Sequence, residues 1–261
     1  MKTTYSLALT LATGTMLVLA TPLHASETDD RIEAAAKKSY VFKTYLADDS
    51  VRTVSKDGIV TLTGTVANVS HKSLAQDTVE DLPGVVRVDN RLKVKDGGPA
   101  ERSDGWVSVK VKSALLFHRN VSATGTDVNV KDGIVTLSGN ASSEAQKELT
   151  TEYARDVEGV KGVKNDMTVA ANPSNPSKPT ETVGEKIDDA SITAQVKASL
   201  FAHRSTSVVK TKVKTVDGVV TITGTAKNDA EKSLVTKLAS DVNGVISVIN
   251  NMTVALPVVS Q

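Results

Sequence analysis

Three stretches of the chain repeat one alternation of apolar and polar positions: Asp57-Gly-Ile-Val-Thr-Leu-Thr-Gly64, Asp132-Gly-Ile-Val-Thr-Leu-Ser-Gly139 and Asp217-Gly-Val-Val-Thr-Ile-Thr-Gly224. An Asp-Gly pair before alternating β-branched residues predicts a tight hairpin turn, because Gly accepts the positive φ such a turn needs. The residues that follow predict a strand with one buried face, closed by the second Gly. In the first copy the partner strand is read at Val51 to Ser55 and a helix from Ser70 to Leu82. The corresponding helices carry Ala145, Leu149, Tyr153 and Val157, and Ala230, Leu234, Leu238 and Val242, each set spaced by four along one face. Gly84, Gly159 and Gly244 then read as left-handed helix caps. A closing strand follows, Val85 to Val94 in the first copy. In the later copies it places Val163, Asn165, Met167 and Val169, or Val248, Asn250, Met252 and Val254, on one face. Lys164, Asp166 and Thr168 fall on the other. Ahead of each hairpin lies a further helix. In the first copy it is expected to open at Asp29-Asp30, where acids suit the helix dipole, and to run through Leu46 on a stripe of Ile32, Ala36, Tyr40 and Val41.

Each unit thus reads helix, strand, strand, helix, strand. Residues 104 to 169 slide onto 189 to 254, a shift of 85, without a gap and with 29 of 66 positions identical. The first unit aligns at a shift of 75 from the hairpin onward, but its leading helix differs: Phe42-Lys-Thr-Tyr-Leu46 stands where the others have Leu116-Phe-His-Arg119 and Phe201-Ala-His-Arg204. The organisation expected is a signal segment at 1–25, units at 26–95, 104–170 and 187–255, linkers at 96–103 and 171–186 and a tail at 256–261. The fold class is α+β: three tandem αββαβ domains, each a small three-stranded mixed sheet with two helices on one face and a polar outer face. Units of this size bury a small fraction of their surface, which favours docking between them.

Residues 1 to 25 combine Lys2, an uncharged apolar run from Leu7 to Ala20 and Pro22-Leu-His-Ala25. This is the pattern of a cleaved secretory signal peptide, too short and wrongly flanked for a transmembrane span. Export to the periplasm is therefore expected, with no transmembrane segment after cleavage. The chain has no Cys, so neither disulfides nor thiolate metal sites support it. Removing the signal segment removes one of 31 basic residues and none of the 30 acids, leaving a balanced chain with no general pull on nucleic acid or anionic membranes, so that local patches would have to provide it.

Signs of catalysis are absent from this sequence. His71, His118 and His203 form no metal-ligand spacing with a carboxylate, and no nucleophile elbow, phosphate loop or dinucleotide fingerprint occurs; no cofactor is expected. His118-Arg119 and His203-Arg204 fall at the C-terminal end of the first helix, where cations suit the dipole. Asn90, Asn165 and Asn250 recur on the inward face of the last strand, as amides that satisfy nearby backbone. Gly58, Gly64, Gly84, Gly133, Gly139, Gly159, Gly218, Gly224 and Gly244 read as structural turns and caps. Two features are candidates for binding. Lys210, Lys212 and Lys214 alternate along the first strand of the third unit and project from one face, where they could attract an anionic headgroup or form a solvated outer surface. Trp106, the only Trp, suits a membrane interface or packs over a helix end.

The hairpin phrase, the helix ending in Gly159-Val160 and the closing strand Val163 to Val169, with their counterparts, together resemble the BON domain. The third unit, from Asp188 to Leu200, resembles the osmotically inducible periplasmic members of that family. The resemblance implies a cell-envelope location and a non-enzymatic role in phospholipid or membrane-surface association linked to osmotic or envelope stress. It supplies no invariant catalytic or ligand constellation. The expected function is weak, multivalent association with anionic phospholipid; the alternative is a periplasmic holdase using its open sheet faces on client proteins.

Overall fold

The computed structural model describes residues 23–100, 102–123, 125–169, 186–206 and 211–255. The signal segment before residue 23, linker residues 171–185, the tail 256–261 and Lys210 lie outside the described residues. Unit 1 comprises α1 (Leu23–Lys38), α2 (Tyr40–Thr44), β1 (Ser50–Lys56), β2 (Ile59–Val66), α3 (Val69–Glu80), β3 (Arg87–Asn90) and β4 (Lys93–Val94). Unit 2 has α4 (Asp104–Leu116), β5 (Thr126–Lys131), β6 (Ile134–Ala141), α5 (Glu144–Arg155), β7 (Gly162–Asn165) and β8 (Thr168–Val169). Unit 3 has α6 (Asp189–Ala202), β9 (Thr211–Val216), β10 (Val219–Ala226), α7 (Asp229–Ser240), β11 (Ser247–Asn250) and β12 (Thr253–Val254). In each, the phrase strand is central, antiparallel to the strand before it and parallel to the closing strand, which gives the mixed three-lane sheet.

The hairpin turn is a mirror-image turn with both residues at positive φ: 54° at Asp132 and 80° at Gly133, and similar values in the other units. A carboxylate one layer away holds it. Asp104 in the first turn of α4 accepts the Asp132 N–H at 2.7 Å and the Gly133 N–H at 2.9 Å. Asp29 does the same for Asp57 and Gly58, and Asp189 for Asp217 and Gly218. The acids read as dipole partners therefore also tie helix to hairpin. Farther along the strand, Gly139 has φ 116°, and a Cβ there would overlap the carbonyl oxygen of Gly125 on the paired strand. Only glycine allows that approach.

The closing strand, expected to be continuous, is broken in every unit. Asn165 Nδ2 donates to the Lys147 carbonyl at 2.9 Å and the Thr151 hydroxyl at 2.8 Å, while its Oδ1 accepts the Met167 N–H at 2.9 Å. The amide thus clasps the second helix and re-aims the chain, so that Met167 enters the core between β7 and β8. Asn90 and Asn250 repeat the clasp.

Two helix expectations also change. The leading helix of unit 1 begins before Asp29 and is interrupted at Ser39, whose side chain bonds the Ala36 carbonyl and caps Phe42. The break is tolerated because unit 3 takes the freed donors: Asp188 accepts the Tyr40 N–H at 2.7 Å and Ser191 Oγ the Val41 N–H at 3.1 Å. On the second helices, Ala145 and Ala230 are exposed and Leu149 and Leu234 half-buried. The seats in the core belong to Thr150, Ala154 and Val157, and to Val235, Leu238, Ala239 and Val242. Thr150 occupies one because its hydroxyl is satisfied by the Gln146 carbonyl at 2.7 Å. The four-residue spacing of the leucines traces a seam toward a neighbouring unit.

Asn165→Ala should lower the stability of unit 2 by about 1–3 kcal/mol, the cost of leaving buried backbone partners unmatched, measured by thermal unfolding. Asp104→Ala should accelerate amide exchange at Asp132 and Gly133 by about tenfold or more while the strand amides of β6 stay protected.

Candidate functional site

The His-Arg pairs do not simply end their own helices. His118 and His203 are buried, at 2% and 3% exposure, where units 2 and 3 meet about a pseudo-twofold axis. His118 forms a backbone bridge with Val242, and His203 forms one with Val157; adding 85 turns one contact into the other. The Arg119 N–H donates to the Asp241 carbonyl and the Arg204 N–H to the Asp156 carbonyl, both at 2.9 Å. The Arg119 guanidinium reaches the carbonyls of Ser240, Val242 and Val245 at 2.7–2.9 Å, covering the end of α7. The dipole argument therefore holds for the opposite unit's helix. In unit 1 the shift of 75 puts Lys43 and Thr44 in place of this His-Arg pair. The recurrence of His-Arg in two units and its replacement in the other is the signal that pointed here.

Side chains close the junction unequally. Asp241 accepts the Tyr153 hydroxyl at 2.6 Å and is bonded by Asn120. The Tyr153 ring stacks on His118 with centroids 4.0 Å apart. His118 Nδ1 lies 3.2 Å from Asp241 Oδ2, yet outside hydrogen-bond geometry, and has no other partner; Nε2 contacts Ser199 Oγ at 3.2 Å. His203 Nδ1 bonds Asp156 Oδ2 at 3.0 Å, while its Nε2 is buried without a partner. Burial holds His118 below the ordinary histidine range against the pull of Asp241, and burial beside that carboxylate raises the Tyr153 hydroxyl. Burial pushes Asp156 upward, but bonds from His203 and Ser205 outweigh it and keep the carboxyl below its usual value. An open cleft of about 560 Å³ runs over this cluster, with Leu149, Leu234 and Leu238 among its apolar lining.

Unit 1 packs on α6. Ala190 and Ala194 join the unit 1 core, with Ala198 packed against it, and Phe117 at the end of α4 sits among them, edge-on to Tyr45 at 5.4 Å. Tyr45 donates to Gln195 at 3.2 Å, and Lys197 pairs with Asp81 at 3.2 Å. Subtracting 85 carries this face of α6 onto α4, where Gly105, Val109 and Ser113 replace the alanines, Trp106 replaces Ser191 and Lys110 replaces Gln195. Phe201 stands there in the place of Leu116. No described unit covers this second face. Trp106 is half-buried over the unit 2 core, Phe201 is 64% exposed, and the Lys110 ammonium lies 4.3 Å from the Trp106 ring centroid and 4.9 Å from that of Phe201. Lys110 also pairs with Glu158 at 2.8 Å. The sequence does not single out Phe201, because the ammonium it lies against, that of Lys110, comes from another unit.

Lys212 and Lys214 are exposed on β9, an edge strand, level with Thr223 and Thr221. Ile249, 48% exposed, shares the Lys214 row on the same outer face. The structure does not bring these lysines together with Trp106, which lies on α4 of unit 2. Among the described residues no group of His, Asp and Glu could hold a metal ion, and no helix is long and apolar enough to cross a membrane.

A sequence profile described as BON domain matches residues 28–96, 103–171 and 188–255. The chain is 35% identical over 149 residues to Osmotically-inducible protein Y of Escherichia coli K12, covering 57% of this chain and 71% of that protein. It is 32% identical over 135 residues to Outer membrane lipoprotein DolP of Haemophilus influenzae, covering 51% and 68%. With the αββαβ unit built three times on the same turn, clasp and strand register, the chain belongs to the BON-domain family.

Proposed function

We propose that the protein is an exported, non-enzymatic component of the cell envelope that associates with anionic phospholipid surfaces under osmotic or envelope stress. The observation that carries this reading is the inequality of two equivalent helix faces. The α6 face is filled by unit 1, whereas the α4 face presents Trp106 and Phe201 around an ammonium group. Aromatic rings beside a cation suit the boundary between headgroups and acyl chains. The exposed Lys212 and Lys214 add electrostatic attraction that salt would screen. The relatives' names point the same way, one to osmotic induction and one to the outer membrane. A periplasmic location fits both them and the leading segment. Weak association through several modules is here carried by two regions in which the units differ, the composite face on α4 and the basic edge strand of unit 3.

A second reading, a holdase for client proteins, draws on the exposed Val216 and Ile249 on the outer face of the unit 3 sheet. Flotation with phosphatidylglycerol vesicles at low salt separates the two. Lipid association predicts flotation that weakens about tenfold in Phe201→Ala, from loss of one interfacial aromatic. It also predicts a smaller salt dependence in Lys212→Gln/Lys214→Gln. Absence of flotation at low salt overturns it, and suppression of a client's aggregation without lipid would support the holdase instead.

A further inference from the structure

We propose that the junction between units 2 and 3 is a proton-operated latch, closed while His118 and His203 are uncharged and released when they take up protons. The two rings lie 5.7 Å apart in a T-shaped arrangement, each from one unit and each beside a carboxylate of the other. Facing His118 are Asp241 from the end of α7, Tyr153 from α5, Ser199 from α6 and His203 itself. Facing His203 are Asp156 at the end of α5, the Tyr153 ring and His118.

Even with neutral rings the groups around the pair carry a slight excess of positive charge. Arg119 and Arg204 offset Asp156 and Asp241, and Glu152 pairs with Arg155, which leaves Lys237 as a further cation on the cleft wall. A doubly protonated pair therefore adds two positive charges to a site with no spare acid among the described residues. Hydrogen-bond geometry is equally restrictive. A protonated imidazole must donate from both nitrogens. His203 Nε2 is buried with no acceptor, and His118 Nδ1 is buried outside hydrogen-bond geometry although Asp241 Oδ2 lies 3.2 Å away. Protonation would thus leave an unmatched charged donor in each half. Once the units part, both rings are free to hydrate.

The sign follows from His118, which burial holds below its ordinary value of 6.5. Its contribution to docking is full above that value and is lost as pH falls below it. The contact of unit 1 with α6 responds in the opposite sense. Burial raises Asp77 to about 6 against the attraction of Lys197, so proton uptake there relieves a cost of docking as pH falls. Acid should therefore loosen unit 2 from unit 3 without driving unit 1 off α6.

The absence of native Cys makes the test direct on the full chain. Glu148→Cys in unit 2 and Ser233→Cys in unit 3, both exposed, would carry spin labels for distance measurement at pH 7.5 and pH 5. The expected result is a narrow distribution at pH 7.5 and a longer, broader one at pH 5, with the released fraction rising at least tenfold and circular dichroism unchanged. In His118→Gln/His203→Gln the fraction should not respond to pH. A proton NMR titration of the unsubstituted protein gives a second measurement: the midpoint of the His118 signal should track the distance change. An unchanged distribution, a change that persists in the Gln pair or follows loss of helical signal, or a His118 midpoint unrelated to the opening would overturn the latch.

Discussion

The structure depends on one helix, α6, that is packed on three sides and leaves Phe201 exposed near its C-terminal end. α6 buries Ile192, Val196 and Leu200 in its own unit, its alanines under unit 1 and Ser199 and Ala202 near unit 2. A helix enclosed this way must keep its cross-section small and match every polar group it carries. Its composition does both. Ala190, Ala194 and Ala198 let unit 1 approach, while Ser191, Thr193 and Gln195 are buried with partners in both neighbouring layers: the Val41 N–H of α2, the Thr215 hydroxyl of β9 at 2.7 Å and the hydroxyl of Tyr45, which caps α2. Asp188 caps α6 through the Ser191 N–H and also serves the first turn of α2. One short polar segment therefore sets the start of its own helix and the docking of another unit.

Within a unit, much was legible in the sequence because the determinants are local. Asp-Gly before an alternating strand forces a mirror-image turn, and the recurring Asn could be assigned to backbone satisfaction before its partners were known. What was not legible depended on partners distant in sequence. The break at Ser39 reads as continuous helix until Asp188 and Ser191 supply acceptors about 150 residues away. Leu149 and Leu234 look like core residues because periodicity reports an apolar face without saying what covers it. His118 and His203 read as helix ends because the helix they cap belongs to the other unit.

The candidate functional regions show the same limit. Trp106 was visible as the only Trp, but its significance comes with Phe201, which lies 95 residues later and shares the Lys110 ammonium with it only because units 2 and 3 are joined about a pseudo-twofold axis. Lys110 then sits between the two rings while bonded to Glu158, so it neutralises an acid and presents an aromatic-cation surface together. By contrast, the lysines of β9 needed no tertiary information: alternation alone put Lys212 and Lys214 on one side of an edge strand.

An object with a true twofold axis offers every surface twice and can bridge two like partners. Here unit 1 occupies one of the two related helix faces, so the pseudo-dimer of units 2 and 3 is capped on one side and presents the other once. Unit 1 thereby lowers the valence of that face instead of raising it: whatever engages α4 would meet no second α4-like surface among the described residues to cross-link it. Adding a module can in this way be a means of limiting assembly.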